Sequence, residues 1–301
     1  MTDQPTTTLL LAALAALALP CLSSAAQTGE TRVITGFAKP ESVLVHGDRR
    51  YVANVGRDLK PTAADGDGFI SELDADGGML NLHAFPLEGE VLNAPKGMAI
   101  VGGRLYVADI DRVIGFDLAT RHKIFERFLP AGSTAFANDI AVLDDETLLV
   151  TDTNRGVVYR LPLESGDISV WATGIPGANG IVHDKATGRT FVVGLGADAT
   201  GGDLFTIDEA GKATMVAGAP HGLLDGISLL PDGGLLVSDW IGFDGPTAGK
   251  LWRASAMGSV TGSVDLGPAL HGPADFAVDA ARGVLWIPSM PDDSVRIVPL
   301  P

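Results

Sequence analysis

The sequence predicts an all-β fold built from six similar units, and three observations support this prediction. First, the 301-residue chain shows no sustained helical periodicity after Thr31; short runs of valine, isoleucine, leucine and phenylalanine alternate with glycine, aspartate and proline, which is typical of strands and turns. Second, one unit, made of a small or polar start, an apolar strand, a turn and a second apolar strand, recurs six times. Third, the 38 glycines and 18 prolines suit a fold with many turns.

The six units align on one position, which falls at residues 41, 96, 138, 179, 225 and 274. The intervals between these positions are 55, 42, 41, 46 and 49 residues. A four-stranded propeller blade takes about 40–45 residues, so the spacing predicts a six-bladed β-propeller with insertions in blades one and five. A β-sandwich, the alternative all-β architecture, would not require six units in one register.

The two ends of the repeat region predict how the ring closes. Residues 294–301 supply only the third strand of the last unit, whereas residues 31–37 form an apolar strand without a partner nearby in sequence. We expect this N-terminal strand to complete the last blade, because the pairing would hide an exposed strand edge. Residues 31–301 then form one domain, although the length alone would also allow two.

Residues 1–26 are predicted to be a signal peptide. Residues 9–22 are apolar and uncharged, a stretch too short for a bilayer span of about 20 residues but typical of the centre of a leader. Small residues at 24–26 provide a cleavage site, and cleavage after Ala26 removes Cys21, the single cysteine. The prediction is therefore a secreted or periplasmic protein without a membrane span. Because no lysine or arginine precedes the apolar stretch, the alternatives are an uncleaved anchor and a wrongly assigned start of the chain.

The charge balance restricts the class of partner. The chain has 37 aspartates and glutamates against 21 lysines and arginines, a formal net charge of −16. Such a surface argues against nucleic acid and anionic membranes as partners, and one cysteine cannot form an internal disulfide or a cysteine-based zinc site. The expected partner is a small-molecule substrate, and the sequence leaves the oligomeric state open.

The aligned position is polar in five of the six units. Inner propeller strands line a central channel, so these side chains should converge there, and burying them is costly unless a bound group satisfies them. The residues at this position are Glu41, Lys96, Asn138, Asn179, Asp225 and, in the sixth unit, Ala274. Two carboxylates and two amide carbonyls form an oxygen-only ligand set that suits Ca²⁺ or Mg²⁺ and disfavours zinc.

These residues resemble the site of a known group of six-bladed propellers, the senescence marker protein (regucalcin), gluconolactonase and luciferin-regenerating enzyme family, which is related to diisopropylfluorophosphatase and paraoxonase. In that family a glutamate on the first blade, asparagines on two middle blades and an aspartate on the next surround a catalytic divalent cation. Residues 138–140, 149–153 and 179–181 are also similar, and the resemblance extends over residues 31–301. It implies a metal-dependent hydrolase, with Ca²⁺ the expected ion, acting on a lactone, ester or related small molecule.

The resemblance also implies roles for individual residues. Glu41, Asn138, Asn179 and Asp225 would hold the cation, and Asp225 would also act as nucleophile or general base. Sugar-lactone members carry an arginine two positions before the first asparagine, where this chain has Phe136, which argues against a sugar-acid lactone as substrate.

Lys96 has two possible roles at the ring. It could stabilise negative charge that develops on a substrate oxygen, which would make it a catalytic residue. Alternatively, it could pair with Glu41 and replace the metal altogether.

Four other residues lie close to the aligned position in sequence. Asp139 and Asp275 follow it by one residue and either support the cation ligands or belong to turns. His221 and His271 share a His-Gly-x-x-Asp spacing and either line the channel mouth, where they could move protons, or occupy exposed loops. Trp240 follows a strand and is expected to pack within its blade, although its position at the start of a loop would also allow it to form a wall of the pocket.

A function from a different class fits the same sequence. Fold does not determine function, and propellers also act as non-enzymatic binding modules. The alternative to a hydrolase is therefore an exported propeller that binds a ligand or a protein partner on its ring face.

Overall fold

The structure is a computed structural model that describes residues 1–2, 31–130, 134–244 and 247–301. The predicted signal-peptide centre and Cys21 lie outside these residues. The described residues form 24 strands in six antiparallel sheets of four strands each, which confirms the predicted six-bladed β-propeller. Within these ranges no helix has the length and apolar character needed to cross a membrane.

Five blades run in simple sequence order from the channel outward. The first three consist of β2 (Pro40–His46), β3 (Arg49–Asn54), β4 (Phe69–Asp74) and β5 (Met79–Phe85); β6 (Pro95–Val101), β7 (Arg104–Asp109), β8 (Arg112–Asp117) and β9 (Lys123–Phe128); and β10 (Ala137–Asp144), β11 (Thr147–Asp152), β12 (Val157–Pro162) and β13 (Ser169–Thr173). The next two consist of β14 (Ala178–Asp184), β15 (Arg189–Gly194), β16 (Leu204–Ile207) and β17 (Ala213–Met215); and β18 (Leu224–Leu229), β19 (Leu235–Asp239), β20 (Lys250–Ala254) and β21 (Val260–Val264).

The sixth blade combines both ends of the domain. Its strand order is β1-β24-β23-β22, and the strands are β1 (Arg32–Thr35), β22 (Ala277–Asp279), β23 (Val284–Ser289) and β24 (Ser294–Pro299). Arg32 lies opposite Ile297, and Thr35 lies opposite Ser294. The predicted closure by the N-terminal strand is therefore confirmed, and it pairs the edge of β24 that would otherwise be open.

The innermost strand of the sixth blade is shorter than its repeat unit indicates. The unit begins at Pro273, but β22 begins at Ala277. The backbone of Asp275 instead bonds to blade one: its N–H donates to Glu41 O at 2.9 Å, and its carbonyl accepts from Val43 N–H at 3.2 Å. Because these groups pair with the neighbouring blade, they cannot extend the sheet of their own blade.

The apolar core lies between adjacent blades rather than at one centre. Tyr106 of blade two and Tyr159 of blade three, both fully buried, belong to one such interface, and the other interfaces are built in the same way. A separate apolar collar surrounds one end of the channel, and it consists of Val55, Ala94, Leu223, Trp240, Ala274 and Met290. Burial of this kind is the main contribution to stability.

Glycines let neighbouring inner strands approach closely. A Cβ atom on Gly97 would lie 2.5 Å from Cα of Asp139, and one on Gly226 would lie 2.7 Å from Cα of Asp275. Both distances are far shorter than carbon atoms tolerate. Each of these glycines directly follows a residue of the aligned position, so the close approach also brings those side chains together.

Candidate functional site

Five polar side chains from five inner strands line one cavity at the axis. Each follows the first residue of its strand, so the same step in the repeat points it into the channel. The cavity has a volume of about 250 Å³, and these five residues, the polar ring below, are all buried: Glu41, Lys96, Asn138, Asn179 and Asp225. Ala274, in the sixth unit, is buried in the adjoining collar.

Three oxygen atoms of the polar ring are buried without a hydrogen-bond partner in the described part of the chain. They are Oε2 of Glu41, Oδ1 of Asn179 and Oδ1 of Asp225. An unsatisfied buried polar group costs about 1–3 kcal/mol, more if charged, and such groups in native proteins usually have a reason. Three from three different blades in one cavity indicate a site for a bound group that supplies positive charge or hydrogen-bond donors.

Thr153 fixes the orientation of Asn138. The Asn138 amide nitrogen donates to Thr153 Oγ1 at 3.2 Å, and that hydroxyl donates to the carbonyl of Ala178 at 2.7 Å. Since the amide nitrogen is engaged by Thr153, the amide oxygen is the atom left to accept from a ligand. Ala178 directly precedes Asn179, so this contact also links two ring residues.

The ammonium group of Lys96 contacts the aromatic ring of Phe136 and the backbone carbonyl of Ala94, and it does not pair with Glu41. Its Nζ donates to Ala94 O at 2.8 Å and lies 4.7 Å from the centroid of the Phe136 ring, a cation–π contact. In the described structure it forms no ion pair with Glu41. Burial lowers the pKa of Lys96 to about 8, opposed by the charges of Glu41 and Asp109.

Burial raises the pKa of both ring carboxyls. For Glu41 the main cause is loss of solvent and the second is the nearby charge of Asp225, and Lys96 opposes both. Burial raises the pKa of Asp225 to about 7, against the stabilising hydrogen bond from Trp240 and the nearby amide of Asn179. Two like charges that are buried in one cavity repel each other, so a bound cation would be favourable here.

Asp139 and Asp275 lie below the polar ring and tie blades together. The carboxylate of Asp139 accepts from the N–H groups of Ile140 at 2.6 Å and Ile181 at 2.8 Å, and burial raises its pKa to about 7. Asp275 accepts from Ser42 Oγ at 2.9 Å, and burial raises its pKa well above the usual range. Both face a second cavity, of about 470 Å³, at the other end of the channel. Their hydrogen bonds thus position the strands that carry Asn179 and Glu41.

The two histidines singled out in the sequence do not line the cavity of the polar ring. Nδ1 of His221 lies 2.9 Å from Oδ1 of Asp203, and Nδ1 of His271 lies 2.9 Å from Oδ1 of Asp292. Each histidine is therefore paired with an aspartate at the loop where its inner strand begins.

A set of aspartate and asparagine side chains that sequence reasoning missed supports the strands that carry the polar ring. In blade two, Oδ1 of Asp109 accepts from the N–H of Ala94, just before Lys96, and Oδ2 accepts from Arg112 of the third strand. The equivalent last residues of the second strands make matching contacts, and they are Asn54, Asp152 and Asp239. The available signal was the recurrence of Asn or Asp at this position of the repeat.

The mouth of the cavity contains a second feature that the sequence only partly indicated. Trp240 lines the cavity, the alternative to blade packing that its loop position allowed, and its Nε1 donates to Oδ2 of Asp225 at 2.7 Å. Leu59 and Phe243, which come from the long loops of blades one and five, lie above it. No spacing rule places such loop residues, so the sequence did not identify them.

Comparison with known proteins supports the architecture. No family model and no curated protein matches the sequence. Among solved structures, virginiamycin B lyase from Staphylococcus aureus aligns with a TM-score of 0.61 at 15% identity, over 90% of this chain and 100% of that one. A streptogramin B lyase structure aligns at 0.59 and 12%, over 89% and 96%, and a chain of a nidogen/laminin complex at 0.56 and 15%, over 90% of each. At this level of identity the likeness shows the fold alone.

The donor set of the polar ring can be tested for its fit to a divalent cation. No group of three or more histidine, cysteine, aspartate or glutamate side chains is placed to hold a metal in the described ranges. The ring offers two carboxylates and two amides, so a cation there would depend on the oxygens of Asn138 and Asn179. Oxygen-only sets with amide carbonyls are ordinary for calcium, and the three unpartnered oxygens fit this use.

Proposed function

We propose that this chain is a divalent-cation-dependent hydrolase that acts on a lactone, an ester or a related small molecule. The observation that carries the proposal is the convergence of unpartnered buried oxygens of Glu41, Asn179 and Asp225 on one cavity. Together with Asn138, these residues would hold the cation, for which Ca²⁺ is our first choice and Mg²⁺ the second. When bound, the cation would act as a Lewis acid toward the carbonyl oxygen of the substrate.

Asp225 is suited to activating water. Trp240 engages its Oδ2, whereas Oδ1 is unpartnered within the described residues. With Oδ1 on the cation, Oδ2 would take the proton of a water molecule whose oxygen attacks the carbonyl carbon; the bond from that carbon to the alcohol oxygen then breaks, and the alcohol leaves with the proton. Burial raises the pKa of Asp225 to about 7 without a cation, and a bound cation would lower that pKa, so the carboxylate would be ionised near neutral pH.

Lys96 would stabilise the negative charge that develops on the substrate oxygen. Phe136 and the carbonyl of Ala94 hold its ammonium group in the cavity wall, so little reorganisation is needed. With a pKa of about 8, the side chain is mostly protonated at pH 7.

The direct test combines metal binding with turnover. Calorimetric titration with CaCl₂ and MgCl₂ should show one site in the wild type and none in Glu41→Gln or Asp225→Asn. Activity on a panel of esters and lactones should disappear with chelator, return with the ion, and be absent in both variants. Asp203→Asn, which removes a carboxylate outside the cavity, is the matched control and should behave as wild type. Activity unaffected by chelator or retained by Asp225→Asn would overturn the proposal.

A binding protein without catalysis is the second candidate. It is favoured by the exposed apolar residues Leu59 and Phe243 at the cavity mouth, which suit ligand capture as well as turnover. Cation and ligand binding without turnover on the panel would support it.

We also propose export through the predicted leader. The support is the uncharged apolar stretch at residues 9–22 followed by small residues at 24–26. Expression of the full chain in a bacterium, followed by N-terminal sequencing of the periplasmic fraction, should give a mature protein that begins at Gln27. Recovery of the intact N-terminus would contradict the proposal.

A further inference from the structure

We propose that the mouth of the polar-ring cavity is a seat for an apolar substituent of the substrate. The substrate class would then be lactones or esters that carry a compact aromatic or branched alkyl group close to the scissile ester bond, rather than polyhydroxylated sugar acids. This inference rests on the proposed hydrolase and specifies its substrate.

The cavity divides into a polar floor and an apolar wall. All its charged or amide-bearing lining residues belong to the polar ring, and every other lining residue is apolar in the described part of the chain. The wall includes Phe136 beside Lys96, and Trp240, Leu59 and Phe243 toward solvent. A ligand that reaches the floor must therefore pass or occupy an apolar surface.

Two residues of the wall are unusually exposed for large apolar side chains. Leu59 is 45% and Phe243 is 50% exposed, and they come from different loops, one after β3 and one after β19. Isolated exposed apolar residues are common, but these two share a cavity with a polar floor. An apolar group of a ligand that covers Leu59 and Phe243 would remove their exposed surface from water, which favours binding.

The apolar wall is rigidly connected to the reacting groups. The rings of Phe243 and Trp240 lie 5.2 Å apart at 60°, and the indole of Trp240 bonds to Asp225. Gly272, with a φ of +50°, leaves room for the indole, because a Cβ there would lie 2.8 Å from it. An apolar group seated against Trp240 and Phe243 would thus be fixed relative to Asp225.

Size and polarity together select the substituent. A volume of about 250 Å³ is slightly below the usual range of ligand pockets, so the ligand must be small, on the scale of a single ring or a short branched chain. The hydroxyl groups of a sugar acid would lie against this wall without partners, which weakens binding. The wall therefore disfavours such substrates by its chemistry.

The test compares matched lactones on matched variants. γ-Phenyl-γ-butyrolactone should be hydrolysed with a kcat/KM at least about tenfold above those of γ-butyrolactone and D-glucono-δ-lactone. Phe243→Ser and Leu59→Ser should each lower kcat/KM for the phenyl lactone about tenfold, mainly by raising KM, and should lower kcat/KM for γ-butyrolactone by a clearly smaller factor. The controls Phe128→Ser and Leu80→Ser remove similarly exposed apolar side chains from the outer strands β9 and β5.

A non-hydrolysable probe separates this inference from the proposed hydrolysis. Calorimetric titration with 5-phenyl-2-pyrrolidinone should show binding to the wild type and to the controls, and binding about tenfold weaker in Phe243→Ser. That result without lactone turnover would support the seat and contradict the hydrolase. Turnover of gluconolactone equal to that of the phenyl lactone, or equal behaviour of the variants and their controls, would overturn the seat and leave the hydrolase standing.

Discussion

The indole Nε1 of Trp240 donates a hydrogen bond of 2.7 Å to Oδ2 of Asp225 inside the buried channel. This bond connects the apolar wall of the cavity to the carboxylate that we propose both holds the cation and activates water. It stabilises the ionised form of Asp225, and it leaves Oδ1 as the oxygen available to a bound cation.

Replacement of Trp240 by phenylalanine should move the acid limb of the pH–rate profile to higher pH. The hydrogen bond from Trp240 lowers the pKa of Asp225, so its loss lets burial raise that pKa further. If Asp225 acts as the carboxylate, activity falls as pH drops through its pKa, and the variant loses activity earlier. Trp171→Phe, on an outer strand, should leave the profile unchanged; the same profile in all three proteins would contradict the assigned role.

Replacement of Lys96 by methionine should strengthen calcium binding and weaken turnover. Methionine keeps a long apolar side chain in the wall but removes a positive charge close to Glu41, so the cation meets less repulsion. We expect the Kd for Ca²⁺ from calorimetry to fall about tenfold. Turnover should fall because the developing oxyanion loses its partner. An unchanged or weaker affinity would show that Lys96 does not compete for the site.

The chelator-treated protein should be more stable at pH 5 than at pH 8. Burial raises the pKa of Asp139 and Asp225 to about 7 in the folded chain, above their unfolded values. The folded state therefore binds more protons between pH 4 and 7, and the free energy of unfolding falls as pH rises through that window. A difference of about 1 kcal/mol corresponds to a Tm change of about 2–4 °C in a domain of this size.

Calcium provides the check on this pH effect. Added at pH 8, it should raise the Tm toward the pH 5 value, since it replaces the protons as the source of positive charge. Asp225→Asn should show a smaller Tm difference between the two pH values in scanning calorimetry. A Tm that rises from pH 5 to pH 8 without calcium would contradict the assignment.

Replacement of Gly97 by alanine should destabilise the propeller by about 2 kcal/mol, as overpacking of a close contact typically does. The new Cβ would meet the backbone of Asp139, which cannot move without separating blades two and three. Gly262→Ala, on β21 with open space around it, is the matched control and should change stability by less than about 0.5 kcal/mol. Urea unfolding measures both. Equal urea midpoints for the two variants would show that the inner strands of blades two and three can move apart to accept a Cβ atom at residue 97.

Most of the fold could be predicted from the six-fold repeat in the sequence. Glu41 and Asn138 could be placed on one ring because each occupies the same step of a strand pattern that recurs around an axis. The closure by residues 31–37 followed from strand counting. The early pairing of Asp275 with blade one could not be predicted, since it exchanges one set of backbone partners for another without changing the sequence pattern.

The chemistry of the site was only partly accessible from sequence. The spacing brought Lys96 to the ring but could not decide between Glu41 and Phe136 as its neighbour, because that depends on the rotamer of a long side chain. Leu59 and Phe243 lie in loops whose paths follow from tertiary packing, and no periodicity reports on them. The sequence shows that Asp or Asn recurs at the position of Asp109. Its supporting role follows only from the hydrogen bonds of these side chains, which the sequence does not reveal.

The pairing of β1 with β24 places both ends of the domain side by side in one sheet, so the ring of blades is continuous and its architecture does not depend on where the chain begins. Arg32 and Ile297 are neighbours across a sheet, so a short linker could join the ends of the domain without disturbing the ring. New ends could then open at an exposed hairpin on the rim, such as residues 119–122 between β8 and β9, and blade two would become the blade that closes the ring. The polar ring would be identical in such a permuted chain, because its members are related by rotation about the axis and not by their order along the backbone.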